Sequence, residues 1–295
     1  MIAITSTGHE LLRSNTDGKA SGLTVVLPAY NEAARLPQTL TLLSEWADSL
    51  PFEVEILVVD DGSDDATAKE AALHPVGCTV VRLNHNAGKG AAVRTGMLLA
   101  RKDIVAFTDA DLPYRLDALR RAHDMIANRK ADIVYGSRDL PDSHAVVRRE
   151  TSRRIASYIF RGITRVMVSG NISDTQCGLK VYSRSAARAV FCRVHTNGFA
   201  FDAEAILVAR NLHLRSASMA ITLINEAGST VSLQRHAPTM LRDLLKARLR
   251  HGRGVSDKNA PNPAFKIFAS PGSSIAIPAT CNMLSGVVGR GHEDP

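Results

Sequence analysis

Several signatures that would name a function class outright are missing from this 295-residue chain. The four cysteines, Cys78, Cys177, Cys192 and Cys281, are far apart and form no C-x-x-C pair. That argues against a zinc site or a disulfide framework and for free thiols in a reducing compartment. Aromatic residues make up only 5% of the chain, and no aromatic–basic stripe appears, so nucleic acid is not an expected partner despite a net charge of +7. The run Asn86-Ala-Gly-Lys-Gly90 lacks the spacing and the Ser or Thr of a P-loop. No G-x-G-x-x-G follows the first strand either, which disfavours nicotinamide chemistry. The N-terminus has neither a charged n-region nor a long apolar run, so no secretory signal is expected. Ile267–Val288 carries no charge, but its two prolines and its Gly, Ser and Thr make a poor membrane span. The expected location is the cytoplasm, with peripheral attachment to the cytoplasmic face of a membrane as an extension of that reading.

What is present is an ample apolar fraction, 45%, and a surplus of Lys and Arg (36) over Asp and Glu (29). The first suffices for a sizeable core, and the second favours anionic partners such as nucleotides, phosphorylated substrates or an anionic membrane surface. Residues 1–20 are polar and aperiodic and read as a disordered N-terminal segment. From Leu23 the pattern alternates between short apolar strands and helices: strands at 23–27, 53–59, 78–83, 103–107 and 132–135, and helices at 64–73, 87–101 and 115–128. A further helix follows Asn31, a residue able to cap it. Such alternation predicts an α/β fold with a mostly parallel sheet covered by helices on both faces.

The second half is more helical, with helices expected at 148–168, 202–211 and 238–250 and one or two strands in 213–224. The domain reading is a catalytic domain over 21–236, with a nucleotide half (21–138) and an acceptor half (139–236). A basic amphipathic helix (237–252) and a flexible tail (253–295) follow.

In parallel sheets ligands gather beyond the carboxyl ends of the strands. The chemically loaded residues fall there: Pro28–Glu32, Asp60–Ser63, Asn84–Gly90 and Asp109–Asp111. The pair Asp109 and Asp111, one residue apart after the apolar run Asp103–Phe107, offers hard oxygen ligands suited to Mg²⁺ or Mn²⁺ bridging phosphate oxygens. Asp60 or Asp61 can accept hydrogen bonds from a base or a ribose, and Lys89 can neutralise diphosphate charge. Arginines 148, 149, 153, 154, 161 and 165 stand against the single Glu150 and suggest an anionic partner for this segment.

The ordered series VVLPAYNEAARL, VVDDGSDDAT, NHNAGKGAAVRTG, FTDADLPY, YGSR, SDTQCGLKVYSR and GFAFDAE resembles family 2 glycosyltransferases of the GT-A fold. Within that family it is nearest to the branch of the dolichyl- or polyprenyl-phosphate glucosyltransferases and the dolichyl-phosphate mannose synthases. The resemblance covers about Leu23 to Leu249. It implies inverting transfer of a sugar, glucose from UDP-glucose, to a polyprenyl or dolichyl phosphate with a divalent metal; a soluble phosphorylated or sugar acceptor is the alternative.

By the same resemblance Pro28, Ala29, Tyr30 and Glu32 line the nucleoside pocket with Asp60 on the base and Asp61 beside it. Lys89 lies near the nucleotide, and Asp109 and Asp111 hold the metal. Arg138 faces the donor or acceptor phosphates, and Asp174 acts as base or orients the acceptor. Arg149, Ser152 and Arg153 bind the acceptor phosphate, with Gln176 beside them. A homodimer is compatible with this reading.

Overall fold

The computed structural model describes residues 21–145, 177–224, 233–252 and 265–268. Leu23–Ala29 (β1), Val54–Asp60 (β2), Thr79–Leu83 (β3) and Ile104–Phe107 (β4) alternate with helices Leu36–Asp48 (α1), Thr67–Leu73 (α2) and Lys89–Leu99 (α3). Next come Asp117–Ala127 (α4), Ile133–Ser137 (β5), His144–Ala145 (β6), Lys180–Ser183 (β7), Arg184–Phe191 (α5) and Phe201–Asn211 (α6). Ser216–Ala220 (β8), Thr222–Leu223 (β9), Leu233–His251 (α7) and Phe265–Phe268 (β10) complete the order.

One eight-stranded sheet runs β10-β3-β2-β1-β4-β7-β5-β8, and β6 pairs with β9 in a separate ladder. β1 is parallel to β2 and β4, β2 to β3, and β5 to β8, whereas β7 is antiparallel to both neighbours and β10 to β3. This is the mostly parallel α/β architecture expected from the sequence.

The period-2 geometry of the strands splits the interior into two cores. Leu23, Val25 and Leu27 of β1 with Ile56 and Val58 of β2 pack under α1 and α4, meeting Leu36, Leu40, Leu43, Leu119 and Ala122. Val26, Leu57 and Val59 face the other way, toward α3, α5, α6 and α7. Helix α3 is buried from Gly90 through Leu99, so it shows no polar stripe.

Four expectations are corrected in detail. Pro28 does not end β1, which runs on to Ala29. Gly22 and Val26 point their carbonyls at β4 and Ala29 points its own at β2, so Pro28 turns its missing N–H to the β4 side, beyond the last β1–β4 partners at Val26 and Phe107. Asn31 does not cap α1: it adopts φ 55, and its Oδ1 accepts from Asp64 N at 3.0 Å, leaving the helix to start at Leu36. Helix α7 begins at Leu233 and carries Pro238 inside it. Finally, Phe265–Phe268, within the stretch expected as tail, lies antiparallel along β3 and covers the sheet edge. The helix expected over 148–168 lies outside the described residues.

Candidate active site

The carboxyl end of β4 is held by two contacts. Thr108 N donates to Val26 O (3.2 Å), and Thr39 Oγ1 of α1 donates to Ala110 O (2.5 Å). Between these anchors the chain turns sharply, with Leu112 N donating to Asp109 O at 3.1 Å. Leu112 itself takes φ 42. A branched residue in the left-handed region is strained, and such strain concentrates at functional turns. The turn presents Asp109 and Asp111 on one side of the sheet end.

Lys89, the first residue of α3, brings Nζ to 2.5 Å from Asp109 Oδ1, with both side chains about 30% exposed. The backbone that delivers Lys89 needs glycine before it, since Gly88 has φ +101 and a Cβ there would sit 2.5 Å from Asn197 O. Asp61 fastens the same loop, accepting from Ala87 N (2.8 Å) and Gly88 N (2.9 Å). Asp60 is fully buried; its Oδ1 accepts from Ser63 N at 3.1 Å, while its Oδ2 lies 3.2 Å from Arg82 Nε as an ion pair without a hydrogen bond. Asn31 N donates to Ser63 Oγ (2.9 Å) and Glu32 N to Thr67 Oγ1 (2.8 Å), tying the β1 exit to the β2 exit.

The charges here are under tension. Burial, reinforced by the neighbouring Asp109, pushes the Asp111 carboxyl up to about 6. Burial likewise raises Asp61 to about 6 against the opposing hydrogen bonds from Ala87 and Gly88. Glu32 is raised, chiefly by burial. Burial would raise Asp109 as well, but the Lys89 ammonium together with the charges of Lys180 and Arg138 outweighs it and holds that carboxyl below its ordinary value.

Two further residues belong to the cluster. Lys180 is fully buried in β7, donating to Asp202 Oδ1 (2.8 Å) and Cys177 O (2.7 Å), with Nζ 5.4 Å from the Phe107 ring centre. The Lys180 charge reaches Asp109, and the Asp202 charge reaches Lys89. Acid and base therefore alternate from Asp109 through Lys89 and Asp202 to Lys180, with Asp111 a second acid beside Asp109. Sequence reasoning quoted both segments without singling these residues out; the available signal was a lysine inside an otherwise apolar strand. Gly178 completes the geometry, because a Cβ there would fall 2.3 Å from Asp109 Oδ2.

The structure thus brings Pro28, Ala29, Tyr30, Glu32, Asp60, Asp61, Lys89, Asp109 and Asp111 to adjacent strand ends, with Arg138 one residue beyond β5 and its charge felt at Asp109. Tyr30 is 41% exposed, Asp61 accepts from the Ala87 and Gly88 backbone, and Asp60 has a buried Oδ2 with no hydrogen-bond partner among the described residues. Asp174, Gln176, Arg149, Ser152 and Arg153 lie outside the described residues. Cys78 and Cys177 are buried thiols, and Cys192 is a half-buried one. Among the described residues no helix is long and apolar enough to cross a membrane.

The family model "Glycosyl transferase family 2" matches residues 24–191, more than half of the chain. The chain belongs to glycosyl transferase family 2. A dolichyl-phosphate beta-glucosyltransferase of Dictyostelium discoideum is 33% identical over 247 residues, 79% of this chain and 76% of that one. Its namesake in Drosophila melanogaster is 36% identical over 231 residues, 73% of this chain and 71% of the relative.

Among solved structures, mannosyl-3-phosphoglycerate synthase from Rubrobacter xylanophilus superposes with a TM-score of 0.61 at 19% identity, covering 81% of this chain and 77% of that one. Glucosyl-3-phosphoglycerate synthase from Mycobacterium tuberculosis, crystallised with Mn²⁺, UDP and phosphoglyceric acid, gives 0.59 at 18% identity over 80% of each chain. At that identity the likeness establishes the shared GT-A fold. This family 2 glycosyltransferase therefore carries its acid–lysine cluster where the fold places ligands, beyond the strand ends.

Proposed function

We propose that this glycosyltransferase moves glucose from UDP-glucose onto a dolichyl or polyprenyl phosphate, assisted by Mg²⁺ or Mn²⁺. The observation that carries the reading is the cluster of Asp109, Asp111 and Lys89 at the end of β4, in a chain whose relatives of 33% and 36% identity are both named dolichyl-phosphate beta-glucosyltransferases.

The donor set fits a hard divalent ion: two carboxylates supply oxygen, and the ionised form of Asp111, disfavoured by burial and by Asp109, would be stabilised by a cation. Bound there, the metal would act as a Lewis acid toward diphosphate oxygens. Lys89 adds a cation where negative charge develops as the anomeric bond breaks, which is where electrostatic stabilisation accelerates a reaction. Tyr30 and Glu32 border the nucleoside side with Asp60 toward the base, while Asp61 acts on it by fixing the loop. A phosphate acceptor is already ionised near neutrality, so Asp174 and Gln176 serve to orient it, and Arg149, Arg153 and Ser152 grip it. Arg138, whose charge is felt at Asp109, would face the donor or acceptor phosphates.

Helix α7 suits attachment to an anionic leaflet on the cytoplasmic side. Met240, Leu244 and Ala247 are buried in the domain, whereas Leu241 (41%), Leu245 (51%) and Leu249 (83%) form an exposed stripe at four-residue spacing. Arg242, Lys246 and Arg248 flank it and are exposed. Each basic residue near an anionic surface contributes about 1 kcal/mol.

The test is transfer from a panel of nucleotide sugars with dolichyl phosphate, phosphoglyceric acid or no acceptor. Glucosyl-lipid formed from UDP-glucose in the presence of metal is the expected product. Transfer to phosphoglyceric acid alone would replace the lipid reading with a soluble acceptor.

A further inference from the structure

Glu204 lies in α6, away from the strand ends, yet it is fully buried and surrounded by donors. Its Oε2 accepts from His195 N (3.0 Å) and Thr196 N (2.7 Å). Its Oε1 takes Arg250 Nη1 at 2.8 Å and stands 3.1 Å from His251 Nε2, both from the last turn of α7. The backbone of His251 is anchored in turn, its carbonyl accepting from Asn211 Nδ2 at 2.6 Å. One carboxylate therefore joins α6, the C-terminal turn of α7 and the loop at 195–197.

That loop is the wall against which the Lys89 turn is built. Asn197 O accepts from Ala91 N (3.2 Å), and Arg94 Nη1 of α3 donates to Val194 O (3.1 Å). Thr196 O and Asn197 O each lie 2.5 Å from where a Cβ would stand on Gly90 and Gly88, the two residues that bracket Lys89. With backbone this close, a shift of a few tenths of an ångström in 195–197 must be followed by Gly88–Ala91, and so by the ammonium 2.5 Å from Asp109.

We infer that Glu204 is a positioning residue for the donor site, holding Lys89 in place through the 195–197 loop, with Arg250 and His251 of α7 as the strap that completes it. Helix α7 thereby serves the diphosphate side of the reaction. A carboxylate with four such partners cannot be replaced quietly, because an amide of the same shape turns an acceptor into a donor facing N–H groups. The inference rests on the donor-site reading above in one respect, that a nucleotide diphosphate meets Lys89.

The experiment compares the full-length wild type with Glu204→Gln and the milder Arg250→Ala, whose side chain is about one-third exposed. Amide hydrogen exchange at 88–91 and initial rates against UDP-glucose and against dolichyl phosphate are measured side by side. We expect faster exchange at 88–91 and about a tenfold rise in KM for UDP-glucose in Glu204→Gln, with the KM for dolichyl phosphate unchanged. Arg250→Ala should move both readouts the same way by less, and Arg250→Lys should restore part of the effect. A fall in kcat or Tm alone, with the donor KM and the 88–91 exchange unchanged, would overturn the inference and leave Glu204 a stabilising residue only. Faster exchange at 88–91 in a protein whose wild type binds no UDP would uphold the positioning role and reject the donor-site reading.

Discussion

Two carboxylates of this protein, half-buried Asp111 and fully buried Glu204, are pulled in opposite directions. At the end of β4, burial and the like charge of Asp109 drive Asp111 up to about 6. At the junction of α6 and α7, burial is outweighed by donors from His251, Thr196 and Arg250, and Glu204 is held down at about 2. Removing both from water costs solvation alike, so the contrast comes from what the fold supplies in return. The fold offsets the charge of Glu204 with its own groups, as a structural acid requires. At Asp111 burial and the like charge of Asp109 prevail, which fits the proposal that a cation from outside binds there.

The largest expected effect breaks the comparison at its active end. Asp111→Asn keeps the shape and removes the charge, and transfer should fall by about 10²–10³ or more. The Tm should hold or rise, because a carboxylate whose folded-state value is raised is destabilising when ionised. Loss of activity together with collapse of the fold would make Asp111 a structural acid like Glu204. Next in size is Gly178→Ala, whose new methyl would meet Asp109 Oδ2 at 2.3 Å. Gly178 is assigned no substrate contact, yet misplacing Asp109 by a fraction of an ångström should cost up to about 10²-fold in rate. The check is kcat/KM with circular dichroism unchanged.

Much of this arrangement was legible in the chain itself. The strands before Asp60 and Asp109 announce themselves as unbroken apolar runs, and the acids that follow them fall at strand ends because a buried strand cannot hold them. Lys180 and Asp202 were harder to read, since they are 22 residues apart and only the β7–α6 packing makes them a pair. Helix α2 starts at Thr67 rather than at 64 because Asp65 accepts from Thr67 N at 2.9 Å ahead of the helix. Strand β10 was hidden by its four-residue length: Phe265–Phe268 is ordered by the edge of β3 rather than by any period of its own. The role of Glu204 is not legible in the GFAFDAE run, because its partners come from loop 195–196 and from Arg250 and His251, 46 and 47 residues further on.

A pH series sharpens the contrast. Glu204 has a folded-state value of about 2 against an ordinary 4.5, so its contribution to stability is present above 4.5 and is lost as pH falls toward 2. Asp111 is raised from 3.8 to about 6, so its contribution is present below 3.8 and is lost as pH rises through about 6. In Tm-against-pH profiles, Glu204→Gln should flatten the acid limb and leave the limb between 4 and 6 alone, while Asp111→Asn should do the reverse. The smallest effect is expected at the surface of α7. Leu245→Asp with Leu249→Asp should weaken co-sedimentation with vesicles rich in anionic lipid several-fold at unchanged Tm, since both side chains are exposed.

The central claim is that Asp109, Asp111 and Lys89 form the donor end of a lipid-phosphate glucosyltransferase. Mass spectrometry of the products formed from UDP-glucose and dolichyl phosphate, with Mg²⁺ or Mn²⁺ and again with chelator, tests it most directly. The account predicts glucosyl phosphoryl dolichol with metal, and its loss with chelator and in Asp111→Asn. Glucosyl-lipid formed equally well by Asp111→Asn, or no glucosyl-lipid from the wild type under any metal, would contradict it.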